Sequence, residues 1–305
     1  MMHSGNSQLL RHIYTRQECI YLRDLTHTSL HNATATFVFG HNPRTKDYTH
    51  VGAAEMLAGL SQAAYCMTAH YRPDLLVDDL IARCYFREVS VKFSKMLAPE
   101  TDASLTIHMA LQSNGFPRFD FDGFIKGSVE TGLSEGLSNA RSMVPREGEL
   151  PQSVQRTLKT FYNNGSELTL KGLSASDSNQ WCARSEFVPD NRLRLCQYAT
   201  TTQLIVGLSQ LAFAIVGEAN RSQSNPFGWE NQEFLSSMGD QALVKLSYER
   251  PKSAELGLAL DSTIASSKTL RGCKFIRLDL DGDLRGTMDS MLSPRVPVRT
   301  LRHAV

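Results

Sequence analysis

Residues 54–67, AEMLAGLSQAAYCM, and residues 202–215, TQLIVGLSQLAFAI, read as two versions of one helix. Gly59-Leu60-Ser61-Gln62 recurs as Gly207-Leu208-Ser209-Gln210, 148 positions later. Farther on, DFDGFIKGSV (120–129) recurs as DLDGDLRGTM (279–288), 159 positions later. Two matches in the same order, each with its apolar pattern kept, mark a duplicated unit. The surplus of 11 residues assigns a longer loop to the second copy, placed at the polar stretch 217–232. A chain of 305 residues accommodates two domains of roughly 150 residues. The boundary is expected near residue 145, giving domains 1–145 and 146–305.

Each copy has the same order of elements. In the first, the β-branched and aromatic run 33–39 predicts a strand. Residues 52–70 are rich in Ala, Leu, Met and Gln and predict a long helix, ended by Arg72-Pro73. Strand-like runs follow at 84–94, 103–111 and 124–130. In the second copy the strand is 181–188 and the helix 200–219. Three further strands follow it. Asp122-Gly123 and Asp281-Gly282 stand between alternating apolar runs, where Asp-Gly suits a tight hairpin turn. Asp279–Asp283 is therefore read as a hairpin and not as a calcium loop, because the glycine comes too early. One further helix is expected between Pro151 and Asn163. The fold class is α+β: a double hotdog, two tandem antiparallel sheets each wrapping a long central helix.

The bulk chemistry narrows the function. A formal net charge of +1 supplies no field to recruit nucleic acid or an anionic membrane. The six cysteines form no C-x-x-C pair, so no zinc or dithiol site is indicated, and Cys66 and Cys84 read as buried thiols. No metal or cofactor is called for. No apolar run was expected to reach the ~20 residues of a membrane span, and the N-terminus lacks a signal-type apolar core. The chain reads as cytoplasmic. The basic tail, Arg295, Arg299, Arg302 and His303, reads as a solvated end in preference to a phosphate clamp for a CoA or carrier-protein arm.

The candidate chemistry lies where the first long helix begins. All histidines except His303 fall at or before position 108, so imidazole chemistry would belong to the first copy. In Asp47-Tyr48-Thr49-His50-Val51-Gly52-Ala53-Ala54-Glu55, an aspartate can orient a histidine. The N–H groups of Gly52, Ala53 and Ala54 can polarise a carbonyl, and Glu55 lies about one turn inside. The bland reading of the same residues is a cap, a surface histidine and a glutamate that complements the helix dipole. The repeat favours chemistry. At the 148-residue offset Asp47, His50 and Glu55 become Leu195, Tyr198 and Gln203, a set that does not exchange protons near neutral pH. One working pocket per chain is expected, completed by Tyr198 and Gln203.

The string DYTHVGAAEMLAGLSQ (47–62) resembles the helix-start motif of FcoT-like long-chain acyl-CoA thioesterases. It is similar also to the wider hotdog thioesterase pattern of Asp, two residues, then Gly-His-Val-Asn. Asp47, His50, Glu55 and Gln62 match by position, whereas Thr49 and Gly52 replace the usual glycine and asparagine. The two-unit layout resembles A-factor-type butyrolactone synthases and the avirulence-D-type enzymes of syringolide formation. These resemblances imply a thioesterase or acyltransferase of lipid or secondary metabolism, supplied by acyl-CoA or an acyl carrier protein. They imply His50, Glu55 and Asp47 as catalytic residues, with Gly52, Ala53, Ala54 and Gln62 near the thioester. A monomer acting as a pseudo-dimer, or a homodimer, would carry the site. The rival expectations are a dehydratase or hydratase of acyl thioesters and a non-catalytic hotdog protein that binds a ligand.

Overall fold

A computed structural model describes residues 4–41, 50–113, 115–134, 150–163, 168–176, 179–196, 198–221, 237–248, 258–270 and 273–294. The first half runs α1 (Ser4–Ile13), β1 (Leu22–His27), β2 (Asn32–Val38), α2 (Ala53–Tyr71), α3 (Val77–Arg83), β3 (Cys84–Phe93), β4 (Asp102–Leu111), β5 (Pro117–Gly123) and β6 (Ile125–Leu133). The second runs α4 (Gln152–Phe161), β7 (Leu170–Ala175), β8 (Gln180–Ser185), α5 (Thr201–Arg221), β9 (Ser237–Ser247), β10 (Leu258–Leu270), β11 (Cys273–Gly282) and β12 (Arg285–Pro294). The expected order of a strand, a long helix and an antiparallel run is present twice. The repeat also extends upstream of the expected halves. Helices α1 and α4, and strands β1 and β7, begin and end 148 residues apart. The expected boundary near 145 lies outside the described residues.

All twelve strands form one antiparallel sheet in the order β1, β2, β4, β5, β6, β3, β9, β12, β11, β10, β8, β7. The halves therefore share a continuous sheet instead of two separate ones, joined where β3 pairs with β9. Glu88 faces Ser247 and Lys92 faces Leu243 across that seam, with Ser90 facing Lys245 at its centre. The neighbouring strands carry the same bulge in both halves. Phe86 faces Thr131 and Glu88 faces Glu130, while Gln241 faces Ser290 and Leu243 faces Asp289. Phe86 thus corresponds to Gln241, and Ser90 to Lys245, at an offset of 155. Ser90 and Lys245 are each other's counterparts, which puts the seam on a pseudo-twofold axis, as in an isologous dimer interface.

The registers also locate the surplus residues. Leu105 faces Gly123 and Leu260 faces Gly282, so β4 and β10 still correspond at 155. The last hairpins correspond at 159. The insertion is split between the α5–β9 connection and the β10–β11 hairpin, instead of falling in one loop. Residues 217–221 belong to α5, and 222–236 lie outside the described residues. Asp281 and Gly282 end β11 just before β12 begins, so the hairpin reading holds. In each hairpin an aspartate meets a cation four residues on: Asp122 with Lys126 at 2.8 Å and Asp281 with Arg285 at 3.2 Å. The glycine that follows, Gly127 or Gly286, has φ of 130° or 142°. A Cβ there would stand 2.0 Å from the carbonyl oxygen of Ser90, or 1.9 Å from that of Lys245. Only glycine fits such a backbone position.

The two long helices pack on each other and are buried along most of their length. By length and composition α5 could cross a membrane, contrary to the expectation that no segment is that apolar. Yet 78% of its most apolar window is buried, so that apolarity serves the core. The repeated tetrapeptide sets the helix-to-sheet distance. A Cβ on Gly59 would lie 3.0 Å from the Phe39 ring, and one on Gly207 would lie 3.1 Å from Phe187. Gln62, fully buried, accepts from the N–H groups of Tyr21 (2.8 Å) and Leu22 (3.0 Å) and donates to the Cys19 carbonyl (2.6 Å). Gln210 accepts from Thr169 (2.8 Å) and Leu170 (3.2 Å) in the same way. Ser61 and Ser209 bond back to the carbonyls of Leu57 and Ile205. The motif persists because it latches each helix to the first strand of its half.

Candidate functional site

Helix α2 starts deep in the protein. Val51 N–H donates to Leu97 O, in the connection after β3, at 2.8 Å. Gly52 is the N-cap and supplies no side-chain cap, and the first helical bond is Met56 N–H to Gly52 O at 3.1 Å. Val51, Gly52, Ala53 and Ala54 are buried. In this apolar setting His50 is 4% exposed and Glu55 2% exposed. Glu55 precedes Gly59 by four residues and Gln62 by seven, so all three share one helical face. Asp47, expected to orient His50, lies outside the described residues.

The start of α5, 148 residues on, is built for stability. Thr200 and Gln203 form a reciprocal capping box. The Gln203 N–H donates to Thr200 Oγ1 (3.3 Å), and the Gln203 amide oxygen accepts from the Thr200 N–H (3.0 Å). The Gln203 amide also donates to Val188 O at 2.7 Å. Tyr198, 3% exposed, donates to the carbonyl of Cys84 in the other half. The polar atoms of Gln62, Tyr198 and Gln203, expected beside the substrate, are thus held by the protein's own backbone. The Thr200-x-x-Gln203 capping signature was readable in the sequence, and it accounts for Gln203 without a ligand.

A cleft opens beside Tyr198, between the halves. Its walls are Ala58, Ser61 and Tyr65 of α2, Tyr85 and Phe86 of β3, and the Asp190–Arg192 pair. It leaves about 40 Å³ for water-sized occupants. Burial pushes the Tyr65 and Tyr198 hydroxyls well above their ordinary range and the Cys84 thiol up to about 12. These groups therefore act as neutral hydrogen-bonding groups. Burial alone would raise the Asp190 carboxyl, but hydrogen bonds from Arg192 outweigh it and hold the group below the ordinary carboxylate range. Arg192 Nε reaches Asp190 Oδ1 at 2.7 Å, and Thr200 Oγ1 reaches Asp190 Oδ2 at 3.1 Å. The pair pins the loop before α5. Sequence reasoning missed it, although an Asp-x-Arg step ahead of a capping box was a usable signal.

Among the described residues no cluster of histidine, cysteine, aspartate or glutamate has metal-binding geometry. No protein-family model matches the sequence, and no curated protein matches it. Solved structures similar to the chain include the dehydratase domain of RzxB from Pseudomonas fluorescens, at 12% identity and a TM-score of 0.46, covering 86% of this chain and 92% of that one. The dehydratase domain of the CurJ module of curacin polyketide synthase gives 12% identity and a TM-score of 0.49, covering 92% and 98%. A candidate thioesterase from Novosphingobium aromaticivorans gives 13% and 0.41, covering 89% and 98%.

Proposed function

We propose that the chain is a double hotdog, with domains 1–145 and 146–305, that processes acyl thioesters of CoA or of an acyl carrier protein at the start of α2. The observation that carries this reading is the contrast between the two helix starts. Where the second half has the neutral side chains of Tyr198 and Gln203, the first half buries two chargeable groups, His50 and Glu55. Burying a chargeable group is costly, and such groups in an otherwise apolar helix start suit general acid–base chemistry.

In this reading the thioester carbonyl points at the N–H groups of the first turn, around Ala53 and Ala54, which stabilise the oxyanion. His50, oriented by Asp47, or Glu55 takes the proton from the attacking hydroxyl of water or an alcohol. The C–O bond forms and the C–S bond breaks. The thiolate leaves with that proton as the free thiol of CoA or of the carrier arm. Hydrolysis and acyl transfer differ only in the hydroxyl admitted.

The test is calorimetric titration with a panel of acyl-CoAs, followed by a thiol-release assay on the same samples. Binding with release supports the proposal, and binding without release contradicts it in favour of a ligand-binding protein. Glu55→Gln should lower turnover by about 10²–10⁴-fold while keeping the melting temperature, since the second half holds an amide at this position.

A further inference from the structure

The correspondence between the halves gives the counterparts of the residues that face Tyr198. In the second half, Tyr198 borders a cleft walled by Ala58 and Ser61 of α2 and by Phe86 of β3. The helix latches relate α2 to α5 at 148, and the shared bulge relates β3 to β9 at 155. His50 is the counterpart of Tyr198. Carried through the same relation, the counterparts of that wall are Val206 and Ser209 of α5 and Gln241 of β9.

The two walls differ in kind. Beside Tyr198 the β-strand position is Phe86, and its cross-strand partner Thr131 spends its hydroxyl on the Pro117 carbonyl at 2.8 Å. In the second half the same two positions are Gln241 and Ser290, buried and bonded to each other. Ser290 donates to the Gln241 amide oxygen at 2.9 Å, and the Gln241 amide donates to Ser209 Oγ at 2.9 Å. Ser209 in turn donates to Ile205 O at 2.8 Å. The fold does not require this network, because the first half builds the same bulge around a phenylalanine. A polar chain stands where the first half has a ring, and it can offer a ligand hydrogen bonds that Phe86 cannot.

We infer that Ser209, positioned by Gln241 and Ser290, is the second half's contribution to the His50 pocket and binds an oxygen carried on the acyl chain of the substrate. The Ser209 oxygen is fixed by Gln241, so its hydrogen can turn from the Ile205 carbonyl to a ligand oxygen. Ser209 is then a binding residue that sets acyl specificity, and Gln241 is a positioning residue. The inference rests on the acyl-thioester reading of His50.

The experiment compares kcat/KM for two short acyl-CoAs of equal length, one with a hydroxyl or keto oxygen on the chain and one plain, in wild type, Gln241→Phe and Ser209→Ala. Gln241→Phe installs the first half's own residue and should fold, which thermal melting checks. The wild type should favour the oxygen-bearing chain, and both variants should lose about tenfold of that preference, mainly through a raised KM for the oxygen-bearing chain. An unchanged ratio in folded variants overturns the inference and leaves the function standing. So does a wild type with no preference. A wild type that neither binds nor cleaves any acyl-CoA removes the proposed function, and this inference with it.

Discussion

The hydroxyl of Tyr198, in the second half of the chain, donates to the backbone carbonyl of Cys84 in the first half, across the boundary between the duplicated units. Both partners are buried. The bond ties the start of α5 to the junction of α3 and β3. Tyr198→Phe leaves that buried carbonyl without its side-chain donor. It should destabilise the protein by about 1–3 kcal/mol. Urea unfolding of the two proteins measures the difference, and a midpoint equal to wild type would show that the bond adds nothing.

The GLSQ latches make a paired prediction. Gln62→Ala would strand the N–H groups of Tyr21 and Leu22 and the carbonyl of Cys19, and Gln210→Ala would strand those of Thr169 and Leu170. At about 1–3 kcal/mol for each stranded group, both variants should lose several kcal/mol. Gln62→Glu keeps the two acceptor bonds and loses only the donation to Cys19, yet places a charge in a buried site. It should also destabilise, and more so at neutral than at acid pH. Denaturant midpoints at two pH values check the ordering.

Much of the fold was legible in the sequence because the latches and the hairpin glycines are constrained as residue types. Gln62 must offer both an acceptor and a donor, Gln210 must offer an acceptor, and Gly127 and Gly286 cannot carry a Cβ. The upstream part of the repeat was not legible. SGNSQLLRHI and QSVQRTLKTF, which form α1 and α4, share an apolar stripe but almost no residue types. The single continuous sheet was hidden as well, since the β3–β9 pairing depends on register across 155 residues. At the site, His50 and Glu55 were found through the failure of the repeat to preserve them. Gln241 was not, because its correspondence to Phe86 depends on a bulge that leaves no mark in the sequence.

Substitution at the hairpin glycines should be severe and symmetrical. Gly127→Ala and Gly286→Ala each drive a Cβ into a carbonyl of the central strands, at a φ that L residues avoid. The backbone of β3 or β9 would have to move at the seam, a loss of more than about 4 kcal/mol, the class of change that prevents folding. Soluble yield and circular dichroism report it. A folded Gly127→Ala protein with wild-type stability would mean that the seam is softer than the geometry indicates.

The Asp190–Arg192 pair predicts a pH dependence. Hydrogen bonds from Arg192 hold the Asp190 carboxyl below its ordinary value despite burial. A depressed folded pKa contributes stability that is present above the unfolded value, near ~3.9, and is lost as the pH falls through the folded value. Wild type should therefore lose stability below about pH 4 more steeply than Asp190→Asn. At neutral pH the same substitution leaves a largely buried guanidinium uncompensated and should cost about 3–5 kcal/mol. Urea midpoints at pH 7 and pH 3.5 for both proteins give the comparison, and parallel acid losses would contradict it.

The claim at the centre of this account is that acyl-thioester chemistry belongs to His50 and not to its counterpart Tyr198. Thiol release from an acyl-CoA that wild type cleaves, measured on His50→Gln and Tyr198→Phe at matched folded concentration, tests it most directly. The account predicts a loss of about 10²–10⁴-fold for His50→Gln, with Tyr198→Phe within a few-fold of wild type. A folded His50→Gln protein that releases thiol at the wild-type rate would contradict it.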